Sequence, residues 1–283
     1  MRIRIIYKFL LVIGIFSLFP LIWLGTNLLK KSEGWIKTPV KELHLNIIED
    51  ISSNILLQIE GYEELAEGLN LFITSVGDMR MRYTYMDLII KTRPEITGVS
   101  IIDRSGNEVV KVSRNNNVLG KIPQKIIGHI VRNKSGLFFE NDIVRFLYNP
   151  GNYIISFEID RNIFSDRVRL KKIGRGSVFI FDDEKKIIYA SFNPPVDEKL
   201  IAFLLNKGEI KGLVDIGAAG VFETEIEGFK FVGAVSCLKA FSLCAGSIQP
   251  LGDVYLYVDL ARKQAIFVIV VVSIFSALAS YFL

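Results

Sequence analysis

Histidine and cysteine are scarce in this chain, and their scarcity excludes a good deal. Its 283 residues hold two histidines, His44 and His129, and two cysteines, Cys237 and Cys244. The histidines lie far apart and no C-x-x-C pair accompanies them, which leaves no donor set for a zinc site. No Walker loop, G-x-S-x-G elbow or H-E-x-x-H helix occurs either. An excess of one charge is also lacking: 34 Lys and Arg stand against 30 Asp and Glu, a net charge of +4, with the two signs interspersed. No basic stripe with interleaved aromatics marks a nucleic-acid surface. The reading is a chain with no enzyme site, no cofactor and no nucleic-acid partner.

What the chain does have is apolar sequence at both ends. Residues 5–29 carry a single charge, Lys8, and residues 264–283 carry none. A bilayer core takes roughly 20 apolar residues per helix, so each stretch is long enough to span. The first has the basic start of a signal peptide but no small-x-small cleavage site after it, and is read as an uncleaved anchor. Pro20 is tolerable there, because neighbouring groups can satisfy the carbonyl it frees. The polar region between the two stretches is then tethered to one side of a membrane at both ends. Flanking charge does not fix which side. Arg2, Arg4 and Lys8 favour a cytoplasmic start, whereas Lys30, Lys31, Lys37, Lys41, Arg262 and Lys263 would hold the middle inside. No basic flank follows Leu283, so a cytoplasmic continuation outside this chain is expected.

Residues 41–76 read as one long helix. Ile48, Ile51, Ile55, Ile59, Tyr62, Leu65, Leu69, Phe72 and Val76 recur at spacings of three and four, with acidic residues over much of the remaining surface. Such a rod would run beside stacked domains or pair with its twin in a homodimer. A second helix, 78–92, should end before Pro94, because the residue preceding proline is steered away from helical geometry.

The period then becomes extended. Residues 96–114, ITGVSIIDRSGNEVVKVSR, give two β-rich runs around an Asp103–Gly106 turn, a hairpin signature. A short helix is expected at 126–132 and strands at 136–140, 143–148 and 153–159. The pattern then recurs. Residues 174–190 are again strand, acidic turn (Asp182, Asp183) and strand; a helical stretch at 194–207 follows, then strands at 220–227 and a pair within 229–250. Each half asks for an antiparallel sheet with helices on one side, an α+β class.

That order, span, long helix, two PAS-like units and span, resembles the double Cache sensor domains of bacterial transmembrane receptors. The opening MRIRIIYKFLLVIGIFSLFPLIWLG is similar to the first span of such sensor kinases. ITGVSIIDRSGNEVVKVSR resembles the first hairpin of their distal unit, with Asp103 and Gly106 in the D-x-x-G turn. GSVFIFDDEKKIIYAS and FVGAVSCLKAFSLCAGSIQP resemble the first hairpin and closing strands of the proximal unit. The resemblance implies a cytoplasmic start and span at 1–29, long and second helices at 30–92, a membrane-distal Cache unit at 93–172, a proximal unit at 173–263 and a second span at 264–283.

It further implies extracytoplasmic sensing of a small molecule, often an amino acid or carboxylate, chiefly in the distal pocket. The signal would pass to a cytoplasmic kinase, cyclase or chemotaxis module in a bacterial inner membrane. The amino-acid-binding subgroup places an Arg–Trp–Tyr cluster after the second distal strand. Here Arg114 is followed by Asn115, Asn116 and Asn117, and the tryptophans are Trp23 and Trp35. Groups expected to line a distal cavity are Arg82 and Tyr85 on the second helix, Arg114, Arg145, Tyr148 and Asp160. Arginine can hold a carboxylate bidentately and an aspartate an ammonium. Cys237 and Cys244 flank the turn of the closing hairpin, either joined, if the domain is exported, or packed as two small apolar side chains. The competing reading is a doubly anchored scaffold or protein-binding module without its own transmitter.

Overall fold

In the computed structural model the described residues are 2–115, 118–140, 143–164, 176–182, 184–192, 196–256 and a few positions from 260 to 274, with side chains described at Trp23 and from residue 36, Glu140 excepted. They form two compact units, one of Met1–Leu43, Thr224–Val232 and Gln249–Leu283, the other of His44–Glu223 and Gly233–Ile248. In the first, the backbone is helical through residue 43 and again at every described position from 251 onward. Among the described residues no helix is long and apolar enough to cross a membrane. The two apolar stretches fall mostly on residues whose side chains lie outside the described set.

The second unit carries the core. Helix α1 is Arg2–Ser75, and its start lies far upstream of the position expected at residue 41. Its buried stripe is Ile48, Ile51, Ile55, Ile59, Tyr62, Ala66, Leu69 and Ile73, at the spacing the sequence predicts. Three expected stripe members stand half-buried: Leu65 and Phe72 at its margin, and Val76 just past the helix end. Helix α2, Met79–Thr92, begins where the Asp78 side chain accepts the Arg80 N–H at 2.8 Å and stops two residues before Pro94.

Among the described residues ten strands follow, in two sheets. The first holds β1 (Ile96–Ile102), β2 (Glu108–Ser113), β3 (Ser135–Glu140), β4 (Ile143–Tyr148) and β5 (Ile154–Ile159), with helix α3 (Gln124–Asn133) before β3. The second holds β6 (Ser177–Asp182), β7 (Ile187–Ala190), β8 (Gly220–Ile226), β9 (Phe229–Leu238) and β10 (Leu243–Pro250). Helices α4 (Glu198–Leu205) and α5 (Gly208–Ile216) precede β8. The strand orders are β2-β1-β5-β4-β3 and β7-β6-β10-β9-β8, one topology used twice. The repeat read in the sequence is therefore a repeat of topology. The expected boundary at 172/173 lies outside the described residues, as does Asp183 of the second acidic turn.

The first turn forms as its chemistry requires. Asp103 accepts the Asn107 N–H at 2.8 Å and its side-chain amide at 3.0 Å, while Gly106 takes φ +86°. The Asn107 side chain, first among these donors, holds the exposed Asp103 carboxyl below its usual range. One face of the first sheet packs on α1: Phe157 stacks on Phe146 with ring centroids 6.1 Å apart, and Tyr62 of α1 lies 6.5 Å from Phe157. The same apolar core continues to Val178, Ile180, Leu243 and Ala245 of the second sheet.

Candidate functional site

The opposite face of the first sheet is where charge is buried. Antiparallel register places Arg145 beside Glu158, Leu147 beside Ser156, Ser156 beside Ser100, and Ser100 beside Lys111. A bulge at Ile101/Ile102 brings Glu108 opposite Ile102. Strand alternation then points Ser100, Glu108, Lys111, Arg145, Ser156 and Glu158 the same way. Arg145 reaches Glu108 Oε1 at 3.0 Å and Glu158 Oε1 at 3.2 Å. Lys111 Nζ sits 2.8 Å from Glu158 Oε1 and 3.8 Å from Glu108 Oε2. The four side chains are only 1% (Glu108), 7% (Glu158), 8% (Lys111) and 13% (Arg145) exposed, so these are not solvated surface pairs.

Two cations and two carboxylates nearly neutralise one another there, the usual condition for burying charge. Glu108 is the most connected. It accepts the Ser100 hydroxyl at 3.0 Å and the Gly120 N–H at 2.7 Å, and its own N–H donates to the Gly120 carbonyl at 3.0 Å. Burial alone would push its carboxyl up; the Gly120 N–H, Arg145, Lys111 and Ser100 outweigh it and hold the carboxyl below its usual range. Through Gly120 the segment after β2 is drawn over this face. Ile122 then buries with Ile102, Ile127, Ile130, Leu147 and Ile154 under α3. In the middle of the face lies the hydroxyl of fully buried Ser156, which has no hydrogen-bond partner among the described residues.

Gly98 belongs to the arrangement. A Cβ at that position would lie 2.5 Å from Glu158 Oε2, so the carboxylate occupies space that only glycine leaves. Gly98→Ala is expected to displace the Glu158 side chain from Lys111 and Arg145 and to destabilise by about 1–3 kcal/mol, read by denaturant unfolding. An unchanged unfolding midpoint would show that Glu158 moves aside without loss.

Of the residues expected from the sequence, Arg145 joins this cluster and the others take other places. Arg82 donates to the Val76 carbonyl at 2.8 Å, at the end of α1. Tyr85 stacks on Phe72, centroids 4.3 Å apart. Arg114 ties the Pro94 carbonyl, at 3.2 Å, and the Ile90 carbonyl at the end of α2. Tyr148 points toward α1, where its hydroxyl donates to Glu67 at 2.7 Å and its ring carries the Lys134 ammonium 5.3 Å from the centroid. Asp160 accepts the Asn162 N–H at 2.9 Å in a local turn. Asn116 and Asn117 lie outside the described residues. Glu108, Lys111 and Glu158 are not among the residues expected from the sequence, although a charged residue at each inward position of a strand pair is a signal it carries.

Two hollows lie elsewhere in the same unit. A cleft of about 320 Å³ opens between Arg161 and β7, beside Tyr189, Phe192 and Glu198. Another, of about 360 Å³, lies at Cys237 and Cys244, which are joined in a disulfide. Among the described residues no group of His, Cys, Asp and Glu is arranged to hold a metal ion.

The sequence matches no protein-family model and no curated protein. Solved structures do match. The sensory domain of the Campylobacter jejuni chemoreceptor Tlp3 with isoleucine bound is similar at a TM-score of 0.54 and 13% identity, over 78% of this chain and 96% of that one. The extracellular domain of the putative histidine kinase rpHK1S-Z16 gives 0.53 and 10%, over 78% and 95%. A methyl-accepting chemotaxis protein X gives 0.54 and 13%, over 76% and 99%. The fold is the one that these solved domains share. At these identities the likeness is one of fold. It agrees with the doubled strand order, and the buried charge cluster lies on the first of the two sheets.

Proposed function

We propose that this chain is the extracytoplasmic small-molecule sensing module of a membrane-bound receptor, coupling ligand binding to a cytoplasmic output domain. The observation that carries the reading is the double Cache architecture shared with chemoreceptor and histidine-kinase sensory domains. The two apolar stretches would anchor it in a bacterial inner membrane, with the middle region outside and α1 pairing with its twin in a homodimer. The Tlp3 domain has been solved with isoleucine, L-valine and L-norvaline bound, ligands that carry one carboxylate and one ammonium group. The face holding Lys111, Arg145, Glu108 and Glu158 offers both complementary charges, and Ser156 a hydroxyl with no hydrogen-bond partner among the described residues. A zwitterion or carboxylate entering there would exchange partners within the cluster and release the segment that Gly120 pins. Arg82, Tyr85, Arg114, Tyr148 and Asp160 remain candidates for ligand contact.

Ligand binding can shift the module only through unequal affinity for two arrangements. The shift would leave through residues 259–263, most of which lie outside the described residues, into the second span. To test this, the chain is placed in frame ahead of a histidine-kinase output module in cells and phosphorylation is followed across a panel of small molecules. At least one chemical class should change phosphorylation, and a Gly-Ser run in place of residues 259–263 should abolish that response while binding persists. Output indifferent to every class contradicts the receptor reading, as does a response that survives the Gly-Ser replacement.

A further inference from the structure

Cys237 is the last residue but one of β9 and Cys244 the second of β10, so their bond closes the seven-residue separation around the 3-10 turn Lys239–Phe241. That turn abuts β3 of the first sheet. Leu238 and Phe241 pack on the apolar core shared by both sheets, among whose members are Leu137 of β3 and Val178 of β6. The tip is tightly wound: Ser242 takes φ +52°, a left-handed conformation costly for a side chain with a Cβ, and its N–H donates to the Lys239 carbonyl. The hairpin tip thus reaches from the second sheet onto the first like a clasp, with the disulfide tying the two strands at its base.

The bond is also reachable. The cavity of about 360 Å³ beside it is lined by both cysteines, by Lys239 and Asp215, and by Gly217. A Cβ on Gly217 would approach the Lys239 side chain to 3.0 Å, so the glycine lets that stem lie along the wall. Both cysteines line the cavity, and Cys237, half-buried where Cys244 is buried, is the less enclosed of the two and is taken as the residue attacked.

We infer that the Cys237–Cys244 bridge is a thiol-exchange site, at which a low-molecular-weight thiol entering the adjacent cavity opens the clasp between the sheets. The thiolate attacks Cys237 Sγ and the protein S–S bond breaks; its electron pair leaves on Cys244 Sγ, which takes a proton from water. The product is a mixed disulfide on Cys237. A second molecule of the same thiol attacks that mixed disulfide, returns Cys237 as a thiolate and departs as the small-molecule disulfide. Two electrons pass from two thiols to the protein, and the reverse exchange re-forms the clasp. Lys239 and Asp215 in the wall suit a thiol that carries both a carboxylate and an ammonium, for which L-cysteine is the probe.

The oxidised full chain in detergent micelles is treated with L-cysteine, the cysteines are assigned by alkylation and mass spectrometry, and backbone amide exchange is followed at residues 135–139. Opening of the bridge in the folded chain, with the mixed disulfide on Cys237 and exchange in β3 faster by on the order of tenfold, is the expected result. A bridge that resists until the protein unfolds overturns the inference, and so does an opened bridge with β3 exchange unchanged. Phe241→Ala separates the clasp from general instability. With the bridge intact this variant should already exchange fast in β3 and gain little more on adding L-cysteine. A full further increase would overturn the assignment to the tip.

Discussion

Glu108→Ala is expected to cost the folded chain about 3 kcal/mol, near the lower end of what removing one member of a buried ion pair costs. The substitution removes one of the two carboxylates that Arg145 and Lys111 share, in a site almost closed to water. It also strands the Ser100 hydroxyl and the Gly120 N–H, both directed at the lost carboxylate. In thermal unfolding this corresponds to roughly 6–12 °C. Glu108→Gln keeps the shape and one acceptor oxygen, and should lose less. Acid should act on the same group. The Glu108 carboxyl is held below its unfolded value of about 4.3, so its contribution is complete above that pH and disappears as pH falls through the lower folded value. Unfolding measured between pH 7 and pH 3 should fall more steeply for the natural chain than for Glu108→Ala. Parallel curves would show that Glu108 does not carry the acid sensitivity.

Phe157→Ala is the other large loss, about 3–5 kcal/mol by the measure of buried aromatic truncations. Phe157 is wholly buried, stacks on Phe146 and leans on Tyr62. Removing the ring hollows the seam between the first sheet and α1 at its centre. Amide exchange in α1 around Tyr62 should accelerate along with the drop in unfolding midpoint, because the helix loses the surface it is held by. If the midpoint falls while α1 remains as protected as before, the helix is held by something other than this seam.

Much of this architecture is legible in the amino-acid order alone, because its signals are local. The Asp103–Gly106 turn, the strand runs around it and the stop before Pro94 depend on residues within a few positions of one another, and each forms where expected. The α1 stripe is legible for the same reason, while its start is not: the helix runs unbroken through Ser32, Gly34, Thr38 and Pro39, residue types that ordinarily mark a helix boundary. The charge cluster is harder. Lys111 and Glu158 alternate with apolar neighbours, a pattern that normally marks a solvated sheet face. Only the return of the chain over that face, from Gly120 through Ile122 into α3, turns it into an interior. Glu108 sits beside a turn, where a carboxylate ordinarily meets water, until the bulge at Ile101/Ile102 swings it inward. Arg145 stands out as an arginine inside a strand; its partners do not, since pairing across four strands is a matter of register.

Binding of a small molecule to the charged face of the first sheet is tested most directly by thermal unfolding of the full chain in detergent micelles. Amino acids, carboxylates, amines and purines are compared, with Arg145→Lys run in parallel. A ligand at a hundred times its dissociation constant, bound only to the folded form, stabilises by about 2.7 kcal/mol, a shift of several degrees. At least one zwitterion or carboxylate should raise the midpoint, and Arg145→Lys, which keeps the charge but loses the bidentate fork, should remove most of that rise. A folded chain whose midpoint no class of molecule moves, or a ligand whose effect is the same in Arg145→Lys, would contradict binding at this face.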